Sequence, residues 1–83
     1  MKTNRDHLNP EEQIFLDKIG SRLKELRLAA GYKNYEDFAR LTGVSRTQYG
    51  SYENGTNMRI TNLKKIVAAH NLTLEAFFAS LQA

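Results

Sequence analysis

Side chains that can hydrogen-bond to a ligand are concentrated in one short stretch, "TGVSRTQYGSYENG", which spans residues 42–55. It places a guanidinium, two hydroxyls and an amide close together, at Arg46, Thr47, Ser51 and Gln48. Such groups donate and accept hydrogen bonds, but this combination lacks the base that would activate a nucleophile. The sequence shows no paired carboxylates, no nucleophile with a base and no cluster of metal ligands. We therefore expect no enzyme, no cofactor and no metal site.

The length and composition of the chain limit the kinds of fold and site to which this stretch can belong. An 83-residue chain buries only roughly 60–65% of the surface that its unfolded form exposes, which leaves little room for a deep cleft. Cysteine is absent, so neither disulfides nor thiolate metal sites are available. The sequence has no signal-peptide pattern and no apolar run of about 18 residues, and we expect a cytoplasmic protein without a membrane segment.

Charge is distributed unevenly along the chain. The formal net charge is +3, yet residues 21–65 contain nine lysines and arginines against four acids, while the segments on either side each carry one net negative charge. A basic middle part suits a polyanion such as nucleic acid. The alternative is that these cations only form a solvated surface, and charge alone leaves both interpretations open.

The chain is predicted to form one domain over residues 1–83, with a flexible N-terminus at residues 1–9. The first helix runs from about 10 to 30, because Asn9 can cap it and apolar residues then recur at intervals of three and four. Gly20 weakens this helix locally, so a kink or a break is expected there.

Capping residues and stop signals bound four further helices. Asparagine, serine and threonine side chains cap helix N-termini, and residues that tolerate positive φ end helices. No segment alternates like a strand, so the sequence predicts an all-α bundle. The second helix is expected after Asn34 and ends at Thr42-Gly43, the third spans Ser45 to Glu53, the fourth about 61–70 before Asn71, and the fifth follows Thr73.

The third helix places its polar and apolar side chains on different sides. Tyr49 and Tyr52 fall on one side and are expected to face the core. Thr47 and Ser51 are one helical turn apart, and they share the opposite side with Arg46. The polar side chains quoted at the outset are therefore predicted to face outward while the aromatic side chains anchor the helix.

This order of helices resembles the helix-turn-helix domain of the phage lambda repressor and Cro type, often called the XRE family. The resemblance covers residues 19–78 and includes "IGSRLKELRLAAG", "DFARLTGVSRTQYGSYENG" and "LKKIVAAHNLTLEAFF". It implies a five-helix lambda repressor-like DNA-binding domain, here with an N-terminally extended first helix. It also implies sequence-specific binding of double-stranded DNA, with the third helix in the major groove.

The resemblance divides the polar residues into base contacts and phosphate contacts. Base contacts are expected from the outward side of the third helix, at Arg46, Thr47, Gln48 and Ser51. Phosphate contacts are expected from the start of the second helix and from the loop before the fourth. The residues concerned are Lys33, Asn34, Tyr35, Asn54, Thr56, Asn57 and Arg59.

Several of these positions have more than one interpretation. Arg46 can bind guanine through two parallel hydrogen bonds or lie against a phosphate. Gln48 can read adenine, although its place three residues after Ser45 favours a capping box. Gly50 would let a sugar-phosphate backbone or the second helix approach closely, or it is simply tolerated. Tyr35 stands where the family usually has glutamine, so its hydroxyl would have to replace that contact.

Two further features follow from the resemblance. Arg27 and Glu53 match an arginine and an acid that pair in the family, and we expect a structural ion pair rather than two independent surface charges. His70 stands where a leucine is usual. A half-buried histidine without a switching role is the favoured interpretation, and a protonated imidazole at a helix C-terminus that senses pH is the alternative.

The function predicted from these features is that of a transcriptional regulator, repressor-like and homodimeric. A dimer is expected because one helix touches too few bases to be selective. Phe15, Phe78 and Leu81 provide a candidate dimer surface. The alternative is an antitoxin-like or other protein-interaction module, in which this surface binds a different polypeptide and DNA contact is secondary.

Overall fold

The computed structural model describes residues 8–82, and these residues form five α-helices and no strand. The all-α architecture with five helices is therefore as predicted. The flexible segment expected at residues 1–9 lies largely outside the described residues. The helices are α1 Pro10–Ala29, α2 Tyr35–Thr42, α3 Arg46–Glu53, α4 Ile60–Ala68 and α5 Leu74–Ala79, followed by a 3-10 helix at Ser80–Gln82.

Side-chain caps begin four of the five α-helices. Asn9 forms a full capping box on α1, because its side chain accepts from the backbone N–H of Glu12 at 2.8 Å and its own N–H donates to the Glu12 carboxylate at 2.9 Å. Thr73 accepts from the N–H of Ala76 at 3.0 Å and so caps α5. These bonds satisfy N–H groups that have no partner inside their helix. Asn34 and Ser45 cap α2 and α3.

The fourth helix is shorter than predicted. It ends at Ala68 instead of about 70, and the next residues form a turn in which Asn71 has φ of 60°. The N–H of Leu72 bonds to the carbonyl of Val67 at 3.0 Å and closes this turn. Asn71 is therefore the left-handed stop that the sequence indicated, but it lies beyond the helix itself.

The core lies where α1 and α2 pack against α3, with α4 and α5 closing the remaining sides. Tyr49 of α3, Phe38 of α2 and Phe77 of α5 are fully buried within it. The rings of Phe38 and Tyr49 meet edge to face, with centroids 5.6 Å apart, an arrangement that aromatic pairs favour. Aromatic packing therefore holds the buried side of α3 against the core.

The break expected at Gly20 is absent, and α1 is continuous through this position. A Cβ atom at Gly20 would lie 2.6 Å from the carbonyl oxygens of both Tyr52 and Glu53. Gly20 therefore allows the backbones of α1 and α3 to approach closely, which a side chain would prevent. Helix propensity alone therefore did not reveal the role of Gly20, which depends on its packing against α3.

None of the helices among the described residues has the length and apolar character needed to cross a membrane.

Candidate nucleic-acid interface

The two sides of α3 differ in burial as the sequence predicted. Tyr49 is fully buried and Tyr52 is 4% exposed, and the hydroxyl of Tyr52 accepts a hydrogen bond from Asn62 Nδ2 at 2.9 Å. On the other side, Arg46 and Thr47 are exposed and Ser51 is half-buried. The helix therefore presents a guanidinium and two hydroxyls to solvent.

Gln48 also lies on the exposed surface of α3. Its backbone N–H donates to the hydroxyl of Ser45 at 3.2 Å, which caps the helix. The reciprocal bond from the Gln48 side chain to the backbone of Ser45 does not form within the described residues, so this is not a capping box. The favoured interpretation of the Gln48 side chain as a cap was therefore wrong, and its amide is open to a ligand.

The start of α2 lies beside the middle of α3. A Cβ atom at Gly50 would lie 2.8 Å from Cε1 and 2.9 Å from Cζ of Tyr35, so the ring of Tyr35 rests on the backbone of α3. Of the alternatives for Gly50, close approach of the second helix is the one that the structure shows. Asn34, next to Tyr35, accepts from the N–H of Asp37 at 3.0 Å and is therefore engaged as a cap.

The loop from α3 to α4 borders the opposite side of α3. Asn54 Nδ2 donates to the carbonyl of Gly50 at 3.2 Å, and the N–H of Thr56 donates to the carbonyl of Ser51 at 3.1 Å. A groove of about 340 Å³ separates the loop from the helix. Its lining includes two predicted base-contact residues, Gln48 and Ser51, and three predicted phosphate-contact residues, Thr56, Asn57 and Arg59. Tyr52 and Met58 complete it.

All seven residues predicted to contact phosphate are exposed. They form two groups, one at the start of α2 and one in the loop before α4, and α3 lies between them. Each group includes one positively charged side chain, Lys33 in the first and Arg59 in the second. Tyr35 packs on Gly50 of α3, and the loop before α4 lines a groove with Gln48 and Ser51. We use the name α3 surface for the residues predicted to contact DNA, which are exposed or half-buried: Lys33, Asn34, Tyr35, Arg46, Thr47, Gln48, Ser51, Asn54, Thr56, Asn57 and Arg59.

The ion pair expected between Arg27 and Glu53 is present and buried. Arg27 donates Nε to one carboxylate oxygen at 2.7 Å and Nη2 to the other at 3.1 Å, and the two side chains are 5% and 7% exposed. Arg27 Nη1 also donates to the carbonyls of Tyr32 at 2.7 Å and Lys33 at 2.8 Å. One guanidinium therefore joins the ends of α1 and α3 to the segment that leads into α2.

Tyr49 lies behind this ion pair with a buried hydroxyl that has no hydrogen-bond partner within the described residues. Burial raises the pKa of this hydroxyl, and the neighbouring Glu53 carboxylate adds to the rise. The hydrogen bonds that Arg27 donates to Glu53 raise the pKa of Arg27 against the opposing effect of burial. Arg27 therefore keeps its charge while Tyr49 stays neutral, and the role of the ion pair is structural.

His70 packs inside the domain rather than capping a helix with positive charge. Its ring stacks on Phe38 with centroids 4.6 Å apart, and its Nε2 is buried without a partner in the described part of the chain. Burial lowers the pKa of His70. His70 is half-buried, as in the favoured interpretation, and its environment favours the neutral ring over the protonated imidazole.

Gln13 was not singled out from the sequence, yet it fastens the turn after α3. Its Nε2 donates to the carbonyl of Gly55 at 3.0 Å and to Asp17 Oδ1 at 2.9 Å. Gly55 has φ of 88° and packs so closely on Asp17 that a Cβ there would overlap its carboxylate. The partners are 42 positions apart, and no periodic pattern in the sequence links them.

The candidate dimer surface lies on α1, on α5 and on the 3-10 helix that contains Leu81. Phe15 is 50% exposed and its ring stacks on that of Phe78, with centroids 6.3 Å apart. Ile14 beside it is 56% exposed, and Leu81 is half-buried. Phe77 is fully buried, so it belongs to the core and not to this surface. An apolar surface of this kind fits a protein partner better than solvent.

Known proteins are similar to this chain in sequence and in fold. The helix-turn-helix family model HTH_3 matches residues 23–77. Control protein C.MunI from a Mycoplasma species is 36% identical over 66 residues, which cover 78% of this chain and 89% of the control protein. The crystal structure of an HTH_3 family transcriptional regulator from Vibrio cholerae matches 83% of this chain with a TM-score of 0.73 and 34% identity. The match covers 39% of that regulator.

Proposed function

Since this chain belongs to the HTH_3 family of helix-turn-helix proteins, we propose that it is a repressor-like regulator that inserts α3 into the major groove of DNA. Membership confirms the family resemblance drawn from the residues. It also places the chain among DNA-binding transcriptional regulators, which are not enzymes. The finer features of the proposal, namely groove insertion, sequence specificity and repression, rest on the geometry of α3 and its surroundings.

The observation that carries the proposal is the division of α3 into a buried aromatic side and an exposed polar side. Arg46 can donate two parallel bonds to O6 and N7 of guanine, and Gln48 can bond to N6 and N7 of adenine. Thr47 can meet a base edge through its hydroxyl or methyl group. Ser51 donates to the carbonyl of Gln48 at 2.8 Å, so its hydroxyl oxygen is left to accept from a base.

Affinity without sequence preference would come from the two groups of residues on either side of α3. Lys33 and Asn34 lie at the start of α2, where N–H groups and the helix dipole favour an anion. Asn54, Thr56 and Asn57 precede Arg59 in the loop before α4. Contacts from both groups would hold the phosphates on either side of the groove and set the register of α3 on the bases.

The proposal includes a homodimer that reads two half-sites and acts in the cytoplasm. The exposed ring of Phe15, together with Phe78 and Leu81, supplies the surface on which two copies would meet. A pair of α3 helices doubles the number of bases read, and the half-sites would then lie about one helical turn of DNA apart. A different polypeptide on this surface is the antitoxin-like alternative, and the mass of the purified complex distinguishes the two.

Selection of bound DNA from a random pool tests the proposal directly. The wild-type chain should select one motif with two related half-sites. Arg46→Ala should flatten the preference at one position, whereas Arg59→Ala should weaken binding to all sequences and lower the salt slope by about one. Arg40→Ala is the matched control, because Arg40 is an exposed arginine on α2 outside the proposed contacts. An unchanged motif for Arg46→Ala would refute the assignment of Arg46 as a base-reading residue.

A further inference from the structure

Tyr35 of α2 places its aromatic ring over Gly50 of α3, a position at which α3 has no side chain of its own. Gly50 is buried although it has no side chain, because the distal edge of the Tyr35 ring covers it. A Cβ at Gly50 would lie 2.8 Å from Cε1, 2.9 Å from Cζ and 3.2 Å from the hydroxyl of Tyr35. The ring thus occupies the space into which a side chain at position 50 would project.

Position 50 belongs to the outward side of α3. It follows Arg46 by four residues and Thr47 by three, and residues at these spacings share one side of a helix. A side chain at this position would therefore lie beside those of Arg46 and Thr47 on the α3 surface. Tyr35, which starts α2, fills that place from a neighbouring helix.

The ring of Tyr35 is held in this place from several directions. It packs on Tyr49 with centroids 6.4 Å apart, and Tyr49 is itself fully buried against Phe38. The Asn34 cap fixes the first turn of α2, to which Tyr35 belongs. Even so, Tyr35 remains 38% exposed. Tyr35 is therefore both held in place and partly open to a ligand.

Resting on the proposed insertion of α3 into the major groove, we infer that Tyr35 is a specificity-determining residue whose ring contacts the C5-methyl group of a thymine. An aromatic edge offers an apolar surface, and the thymine methyl is the apolar group of the major groove. A ring supported on the backbone of α3 moves with the reading helix and is therefore placed against bases. This role differs from the phosphate contact through the hydroxyl that the family resemblance implied.

The test uses the full chain and DNA selected from a random pool, comparing wild type with Tyr35→Ala and Tyr35→Phe. Wild type and Tyr35→Phe should both prefer thymine at one position of each half-site, because both keep the ring. Tyr35→Ala should lose that preference by about fivefold or more while the salt slope stays unchanged. Replacing this thymine by uracil should weaken wild-type binding about fourfold, as expected for one buried methyl group, and should not affect Tyr35→Ala.

Gly50→Ala supplies an independent test of the same contact, since its Cβ would displace the ring. It should lose the same thymine preference as Tyr35→Ala, and in the Tyr35→Ala background it should cause no further change in the motif. Thermal unfolding confirms that each variant is folded, and the double variant should be at least as stable as Tyr35→Ala because alanine favours a helix.

Three outcomes separate this inference from the proposed function. A uniform loss of affinity for Tyr35→Phe, with the motif unchanged, would establish the phosphate contact through the hydroxyl instead. A thymine preference that survives Tyr35→Ala would overturn the inference while leaving the reading role of Arg46 intact. If the wild-type chain selects no motif at all, the proposed function itself fails, and the inference fails with it.

Discussion

Gly20 of α1 lies directly against the carbonyl oxygen of Glu53 at the end of α3, at a separation that leaves no room for a side chain. This close approach joins the longest helix of the domain to the helix that carries the proposed base contacts. It also aligns α1 so that Arg27, seven positions further on, reaches the Glu53 carboxylate. The orientation of α3 therefore depends on backbone packing as well as on the ion pair.

Gly20→Ala should destabilise the domain even though alanine favours a helix. The gain in helix propensity is about 1 kcal/mol, but the new methyl group would press on two backbone carbonyls that cannot rotate away. Overpacking of this kind costs about 1–3 kcal/mol, so we expect a net loss of stability in urea unfolding. Ser21→Ala, at the adjacent exposed position, is the control and should change stability little. A Gly20→Ala variant more stable than wild type would contradict the close approach.

Glu53→Gln should destabilise the domain far more than a surface substitution. It removes the negative charge beside a buried guanidinium, and breaking one side of a buried pair costs about 3–5 kcal/mol. Arg27→Met should cost a similar amount, because it leaves the carboxylate unpaired. The double variant Arg27→Met with Glu53→Gln should recover part of the loss in a double-mutant cycle measured by urea unfolding. Strictly additive losses would rule out direct coupling between the two side chains.

Local signals in the sequence predicted the helices well. Among contacts between distant segments, the family resemblance supplied the Arg27–Glu53 pair, while those of Gly20 and Gln13 were not predicted. Asn9 and Thr73 cap helices through bonds that span three residues, so the sequence around them contains all the information needed. Gly20 has the same local signature as any helix-weakening glycine. The role of Gly20 depends on its contact with the backbone of Glu53, which forms only when the helices pack together. The contact of Gln13 with Gly55 also joins segments that are distant in the sequence.

The candidate site was predictable for a related reason. The alternation of Arg46 and Thr47 with Tyr49 follows from helical geometry, so the two sides of α3 could be assigned without coordinates. Gln48 could not be assigned in this way, because the same spacing from Ser45 serves both a capping box and a free side chain. Only the position of its amide in three dimensions decides between them.

His70 should make the stability of the domain depend on pH. Burial lowers its pKa in the folded state, while the unfolded chain keeps a value of about 6.5. Stability is therefore complete above about pH 6.5 and falls as the pH drops toward the folded pKa, by at most about 1.4 kcal/mol per pH unit. Urea unfolding between pH 5 and 8 in a His7→Gln background isolates this imidazole. His70→Leu should remove the slope, and a slope that persists would assign it to other groups.

Gln13→Ala should loosen the turn after α3, since it removes the bonds to Gly55 and Asp17. We expect a loss of about 1 kcal/mol and faster amide hydrogen exchange at Thr56, whose N–H bonds to Ser51. Gln13→Glu should cost more than Gln13→Ala, because a carboxylate would face the Gly55 carbonyl and the Asp17 carboxylate with no proton to donate. Lys24→Ala, an exposed position on α1, is the control. If Gln13→Glu matched wild type in stability and exchange, the amide would have no part in holding the turn.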